Sequence, residues 1–489
     1  MSTSLAALNI RQLQKNLQTG NISPVDIVND VIASIQNKDT DVGAYLSINA
    51  EEAIKSAKEA DISKPLGGIP IAIKDLINVE GQPCSCGSKI LRNSYVSTYD
   101  ATVIKKLKEA GAIPLGRVNM DEFAMGSSTE NSGIQITKNP WDLDRIPGGS
   151  SGGSAASVAN DTAIASLGSD TGGSIRQPSS FCGTVGLKPS YGRVSRFGLV
   201  AFASSLDQIG PVTKTSEDAA MILNAIAGKD PLDSTSLGSD VPNYLESLNG
   251  DIKGLRIGMP KEYFTDGIDP AVLACIHKGI DTLKELGAEI IDISLPHTEF
   301  AVSTYYIIAT AEASANLARF DAVRYGNRIS EPTNIIEHYR KSRAQGFGEE
   351  VKRRIILGTY VLSSGYNDAY YVKAQKVRTL IRDDFAQAFE KVDAIVSPTA
   401  PTPAFKIGEM CDDPLQMYLA DIFTIAANLA GICGISTPCG FVTGDSENQL
   451  PVGLQILGPA LQETTILKIS DAFEKATDWH NQRPLIGNS

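Results

Sequence analysis

The 489-residue sequence has no Cys-x-x-Cys pair, no block of Lys and Arg, and only four histidines. Nor does it contain an apolar run near the roughly 18 residues that a membrane-spanning helix needs. Each shortage removes a class of function. Seven cysteines (Cys84, Cys86, Cys182, Cys275, Cys411, Cys433 and Cys439) form an odd set in a chain large enough not to need covalent staples, so reduced thiols in a cytoplasm are expected. The 44 basic and 56 acidic side chains leave a formal charge of 44 minus 56, or −12, which makes it hard for this chain alone to neutralise many phosphates. Any work on nucleic acid is expected to belong to a partner. The start, Met1 to Ile10, has a short apolar stretch with no basic region before it, so neither secretion nor membrane association is expected.

What is present is the composition of a globular enzyme, 42% hydrophobic and 20% charged. The first sixty residues read as a helical cover: Ser23-Pro24 suits an N-cap followed by proline at the first helical position, ahead of apolar Val25, Val28, Val31, Ile32 and Ile35. From Gly67 the texture changes to short apolar runs such as Ile69 to Ile73, then a helical stretch over 103–110, then another run over 112–115. Thr215, with Asp218 three residues on and Gly228 at the far end, predicts a helix with a capping box. A βαβ unit is predicted from strand 255–259, a helix opened by Asp269-Pro270 and closed by Gly287, and strand 290–295. Residues 301–390 read as amphipathic helices, and Ala394 to Ser397 as a further buried strand.

Residues 146–212 are dense in Gly and Ser, yet apolar interludes at 163–167 and 185–187 distinguish them from a flexible linker. Two clusters stand out there, Gly148-Gly149-Ser150-Ser151-Gly152-Gly153-Ser154 and Gly168-Ser169-Asp170-Thr171-Gly172-Gly173-Ser174-Ile175-Arg176. Neither holds the lysine that a phosphate-cradling Gly-Lys-Ser/Thr loop requires, which disfavours a nucleotide site and leaves structural turns or a reactive serine. A Ser-His-Asp enzyme would need a histidine base, and His277, His297, His338 and His480 all sit in ordinary contexts. Lys74 offers another base, because it ends the apolar strand Ile71-Ala72-Ile73-Lys74, an odd place for a cation. A lysine acts as a base only when neutral, so burial would have to lower its pKa from about 10.4.

The two glycine-serine blocks and the Lys74 strand resemble the amidase signature family, and the likeness runs from the N-terminal helices through Pro451-Val452-Gly453-Leu454-Gln455 to Asp478-Trp479-His480. The resemblance implies a single α/β domain over 1–489, with a mixed central β-sheet flanked by helices. It also implies that Ser174 is the acylated nucleophile, Ser150 a proton relay following a cis peptide, and Lys74 the base. Backbone N–H groups of Thr171, Gly172, Gly173 and Ser174 would then receive the developing oxyanion.

Among members of that family the likeness points to those that cleave glutamine for a tRNA-dependent amidotransferase. Arg354, next to Arg353, would hold the substrate carboxylate, Asp421 ahead of an apolar helix over 422–430 would hold its ammonium, and Tyr305, next to Tyr306, is a further pocket candidate. No metal or cofactor is expected in this chain. ATP and Mg would be used by a partner that activates glutamyl-tRNA, within an assembly containing B and C subunits, and tRNA would be met mainly through that partner. The rival readings are a stand-alone amidase of simple amides and a non-catalytic scaffold that keeps the fold. Cys182, close to Ser174 in sequence, reads as a buried inert thiol.

Overall fold

The computed structural model describes residues 4–410, 414–445 and 447–484, which leaves Cys411 outside the described residues. Eleven strands form one sheet: β1 (Tyr45–Ile48), β2 (Pro70–Lys74), β3 (Ile113–Val118), β4 (Ala165–Asp170), β5 (Val185–Lys188), β6 (Gln208–Thr213), β7 (Arg256–Pro260), β8 (Glu289–Ile293), β9 (Ala394–Pro398), β10 (Cys433–Thr443) and β11 (Gln449–Gly458). Their spatial order is β1-β3-β2-β4-β6-β5-β10-β11-β9-β7-β8. The sheet is mixed, as the fold reading requires. β3, β2 and β4 run parallel, as do β9, β7 and β8, while the strands between β4 and β9 pair antiparallel.

β2 forms because Ile71, Ala72 and Ile73 have no polar side chain to satisfy and can be buried on both faces between β3 and β4, as parallel central strands usually are. Pro70 opens the strand, the position where a missing N–H disturbs the ladder least. In the parallel register Ile73 faces Leu167 of β4, so Lys74 leaves β2 at the same sheet edge where β4 delivers Ser169 and Asp170. The helix Gly152–Ala159 packs inside the molecule with every residue buried, which its Gly, Ala and Ser composition allows. The Gly/Ser-rich stretch is therefore core, not linker.

Several helix signals hold. Ser23 caps Pro24–Val42 in a capping box with Asp26, and Asp269 caps Pro270–Glu285 between parallel β7 and β8. Four helices, Ala301–Asn316, Ile335–Gly346, Glu349–Val361 and Lys373–Phe389, occupy most of 301–390. Three expectations need correction. The first sixty residues are not all helical, since β1 pairs with β3 at the sheet edge, four residues too short to show a period of two. Thr215 caps Ser216–Ile226, but Asp218 does not return the bond to complete a box, because its carboxylate accepts from the N–H of Ile10 instead. The helix expected over 422–430 begins only at Ile425, after a turn in which Asp421 O accepts from the N–H groups of Thr424 and Ile425.

The six described cysteines are free, and five of them are buried. No described helix is long and apolar enough to cross a membrane.

Arg176 ties the elements around this sheet edge together. It has no exposed surface, meets Asp170 with Nε and Nη2 at 3.0 Å each, and also donates to Gln455 Oε1 at 2.7 Å, Asn428 Oδ1 at 2.6 Å and Thr424 O at 3.1 Å. Burial alone would raise the Asp170 pKa, but Arg176 overrides it and holds the carboxyl down at about 2. Removing one member of such a pair strands the other charge in the core. Arg176→Met is expected to cost about 3–5 kcal/mol, read as a lower urea midpoint at pH 7. Because the folded pKa of Asp170 is depressed, its contribution is present above pH ~4 and is lost as pH falls through about 2. The gap between wild type and variant should therefore narrow in acid.

Candidate functional site

Lys74 lies at the centre of the site with no exposed surface. Its Nζ is 2.8 Å from Ser150 Oγ, 2.8 Å from Ser151 Oγ, 3.0 Å from Ser169 Oγ and 3.3 Å from Ser169 O. No described carboxylate comes within ion-pair distance of it. Loss of hydration lowers its pKa to about 7, against the opposing pull of Asp121, Asp170 and Asp207 nearby. A hydroxyl can accept from an ammonium or donate to an amine, so this partner set suits either protonation state.

Gly149 and Ser150 are joined by a cis peptide. A Cβ on Gly149 would stand 2.0 Å from Asp121 Oδ2, so only glycine fits there. The Gly149 N–H donates to Gln177 Oε1, and the Ser151 N–H donates to the carbonyl of Ser174, which sets the two glycine-serine loops side by side. Ser174 is 8% exposed, and its Oγ makes no hydrogen bond to another described residue, so Ser150 and Ser174 do not bond through their hydroxyls in this geometry. Around Ser174 the carbonyls are tied back: Gly172 O accepts from Thr424 Oγ1, Gly173 O from the Gln177 N–H, and Ser174 O from Ser151. The N–H groups of Thr171 to Ser174 donate to no other described residue. They remain available to an anion beside Ser174.

Tyr305 and Asp421 close over this loop. A Cβ on Gly172 would lie 2.8 Å from Tyr305 Cζ; one on Gly173, where φ is +149°, would lie 2.2 Å from Thr424 Oγ1 and 3.0 Å from Asp421 Oδ1. Both positions need glycine because other side chains already occupy that space. Asp421 accepts from Ser127 Oγ on Oδ2, whereas Oδ1 is buried without a hydrogen-bond partner among the described residues. An orphaned carboxylate oxygen beside a reactive loop is what a cationic ligand would satisfy. Burial raises the Asp421 pKa to about 7.

Arg354 faces inward at 3% exposure, whereas the neighbouring Arg353, which lines the same cavity, is half exposed. Its guanidinium lies 5.1 Å from the Tyr306 ring and 5.5 Å from those of Tyr418 and Phe202, and burial does not discharge it. Tyr306, stacked on Tyr418 at 3.9 Å, belongs to this cage, while Tyr305 belongs to the Gly172 side. Arg354 lines a cavity of about 150 Å³ with Gly126, Ser128, Asn131, Glu350 and Tyr418. Larger hollows of about 920 and 810 Å³ are lined instead by Trp141 and Trp479 and by Phe264 and Asp384, none of them part of this chemistry.

Lys74 and Ser150 thus meet directly, Ser174 is joined to them through backbone, and Arg354 lies in the adjoining cavity. Cys182 is buried with its pKa pushed up, an inert thiol as expected. His297 pairs with Asp384, His338 approaches Ala322 O, and His277 leans on Phe264, all apart from the site. Sequence reading missed Ser151, Ser169, Asp121, Ser127 and Glu350. The first two stand inside the glycine-serine clusters and could have been singled out there; Glu350 shows as an acid four residues before Arg354 on a predicted helix. Asp121 and Ser127 lie in an irregular segment with no periodic signal. Among the described residues, no group of three or more His, Cys, Asp or Glu side chains could hold a metal ion.

The Amidase family model matches residues 26–467. A relative from Methylacidiphilum infernorum, the A subunit of glutamyl-tRNA(Gln) amidotransferase, is 57% identical over 484 residues, covering 99% of this chain and 97% of its own. The crystal structure of the corresponding A subunit of glutamyl-tRNA(Gln) amidotransferase from Thermotoga maritima has a TM-score of 0.82 at 41% identity, covering 99% of both chains. A peptide amidase from Stenotrophomonas maltophilia has a TM-score of 0.80 at 28% identity, covering 97% and 98%. The matched span contains the Lys74 strand, both glycine-serine loops and the elements that close over them, and the chain belongs to the amidase family.

Proposed function

We propose that this chain is the glutamine-cleaving subunit of a tRNA-dependent amidotransferase, working as one amidase-type domain over 1–489 and supplying ammonia for converting Glu-tRNA(Gln) to Gln-tRNA(Gln). One observation carries the chemistry: a wholly buried amine, without a carboxylate partner among the described residues, bonded to the hydroxyl of Ser150. The names of the 57% and 41% identical relatives support this role within a larger assembly.

In this reading Ser174 Oγ attacks the amide carbon while its proton passes to Ser150, whose own proton moves to neutral Lys74. The carbonyl oxygen becomes an oxyanion facing the N–H groups of Thr171 to Ser174. Collapse of the tetrahedral species breaks the C–N bond, the relay returns a proton to the leaving nitrogen, and ammonia departs. Water then attacks the Ser174 ester by the same relay and releases glutamate. Arg354 takes the substrate carboxylate, Asp421 the ammonium, and Tyr305 packs beside the reacting loop. The chain itself needs no cofactor for these steps. ATP and Mg act in a partner within an assembly of this chain with B and C subunits, tRNA is met mainly there, and the setting is cytoplasmic.

The assay is ammonia release from glutamine by the full chain, alone and with its B and C partners, beside benzamide. Partner-stimulated release from glutamine with little benzamide turnover is expected; equal, partner-independent turnover of both would make the chain a free amidase. Ser174→Ala should abolish glutamine cleavage while leaving the fold and partner binding intact, and retained cleavage would reject the nucleophile. Because the base must be unprotonated, kcat/KM should rise with pH through about 7 and then level off. Lys74→Arg, which cannot become neutral, should be inactive across the range; a wild-type pH profile in that variant would exclude the lysine base. Asp421→Asn should lower kcat/KM for glutamine by about tenfold or more, the loss of a charge-assisted bond, and leave an amide without an ammonium unaffected.

A further inference from the structure

Glu350 takes no part in the steps above, yet it is 8% exposed and holds three groups at once. Oε1 accepts from Arg354 Nε at 2.7 Å and from the Tyr418 hydroxyl at 3.0 Å, while Oε2 accepts from Arg353 Nη1. The Arg354 bond joins residues i and i+4 of the helix Glu349–Val361, with the acid on the N-terminal side, the favoured order. Among the described residues it is the only hydrogen bond Arg354 makes. The guanidinium lies over the rings of Phe202, Tyr306 and Tyr418, and its Nη1 and Nη2 make no hydrogen bond to another described residue, which leaves them for a ligand.

A guanidinium recognises a carboxylate bidentately only in its own plane, so rotation about that plane determines whether the second bond forms. An aromatic cage does not fix that rotation; an acceptor on Nε does. We infer that Glu350 is a positioning residue for substrate selection, setting the plane of Arg354 so that Nη1 and Nη2 receive the α-carboxylate of glutamine. This rests on the glutaminase reading above.

The test compares glutamine with 4-aminobutanamide, which keeps the amide and the ammonium but lacks the carboxylate, using the full chain with its B and C partners. Glu350→Ala should raise KM for glutamine about tenfold or more with little change in kcat, and leave kcat/KM for 4-aminobutanamide unaltered. Glu350→Gln, which keeps a neutral acceptor for Nε, should raise the glutamine KM only about threefold. If the alanine variant does not fold, that smaller rise, confined to glutamine, carries the test. Equal losses on both substrates, or an unchanged glutamine KM in Glu350→Ala, would overturn the inference alone. Absence of glutamine turnover in the unsubstituted protein would overturn the glutaminase reading and this inference with it.

Discussion

The site depends on a lysine held out of water with no carboxylate among the described residues in contact with it. Removing an ammonium from water costs several kcal/mol, and the usual remedy, a carboxylate in contact, would fix the proton on the nitrogen. Here two of the three nearby acids are engaged elsewhere, while Asp121, which pulls on Lys74 hardest, keeps a buried Oδ2 with no hydrogen-bond partner among the described residues. Asp170 is held by Arg176, and Asp207 accepts from Thr171 Oγ1 and from the N–H groups of Phe202 and Ala203. The groups touching Lys74 Nζ are hydroxyls and one carbonyl, whose demands are met whether or not the amine carries its extra proton. Burial can then lower the pKa to about 7.

The same logic governs the ligand side. Asp421 and Arg354 reach the site from distant parts of the chain, and each keeps hydrogen-bonding capacity that no described residue uses: Oδ1 of the first, and two nitrogens of the second. In the proposed reading, a buried carboxylate and a buried guanidinium that do not pair with each other would frame a zwitterion. The glycines at 172 and 173 admit Tyr305 and Thr424 close to the backbone, and this contact places Asp421 over the reactive loop.

Much of this was legible in the sequence where residue type and chemistry are inseparable. A cation ending an apolar strand, two glycine-serine clusters without a phosphate-binding lysine, and histidines in ordinary contexts are enough by themselves to narrow the catalytic choices. Local signals also did well where they are self-contained, as at Ser23 and Asp269. They failed where a distant partner took over a local role: Asp218 gives its carboxylate to Ile10, and β1 exists because β3 offers an edge. Asp121 and Ser127 were invisible for a related reason. Their importance lies in what stands opposite them, Gly149 and Asp421, and no spacing within 121–127 encodes that.

The order of strands sets a rule for biosynthesis. β10 and β11, nearly the last to leave the ribosome, lie in the middle of the sheet between β5 and β9, and Arg176 reaches Gln455 of β11. The two parallel flanks can be translated first, but they cannot be joined until residues near 458 have emerged. At about 5–20 residues per second, a nascent chain therefore spends tens of seconds with Lys74 and Ser174 already made and no completed site around them. A chain that stops before the final hairpin lacks the strands that join the two flanks, and with them the Gln455 partner of Arg176.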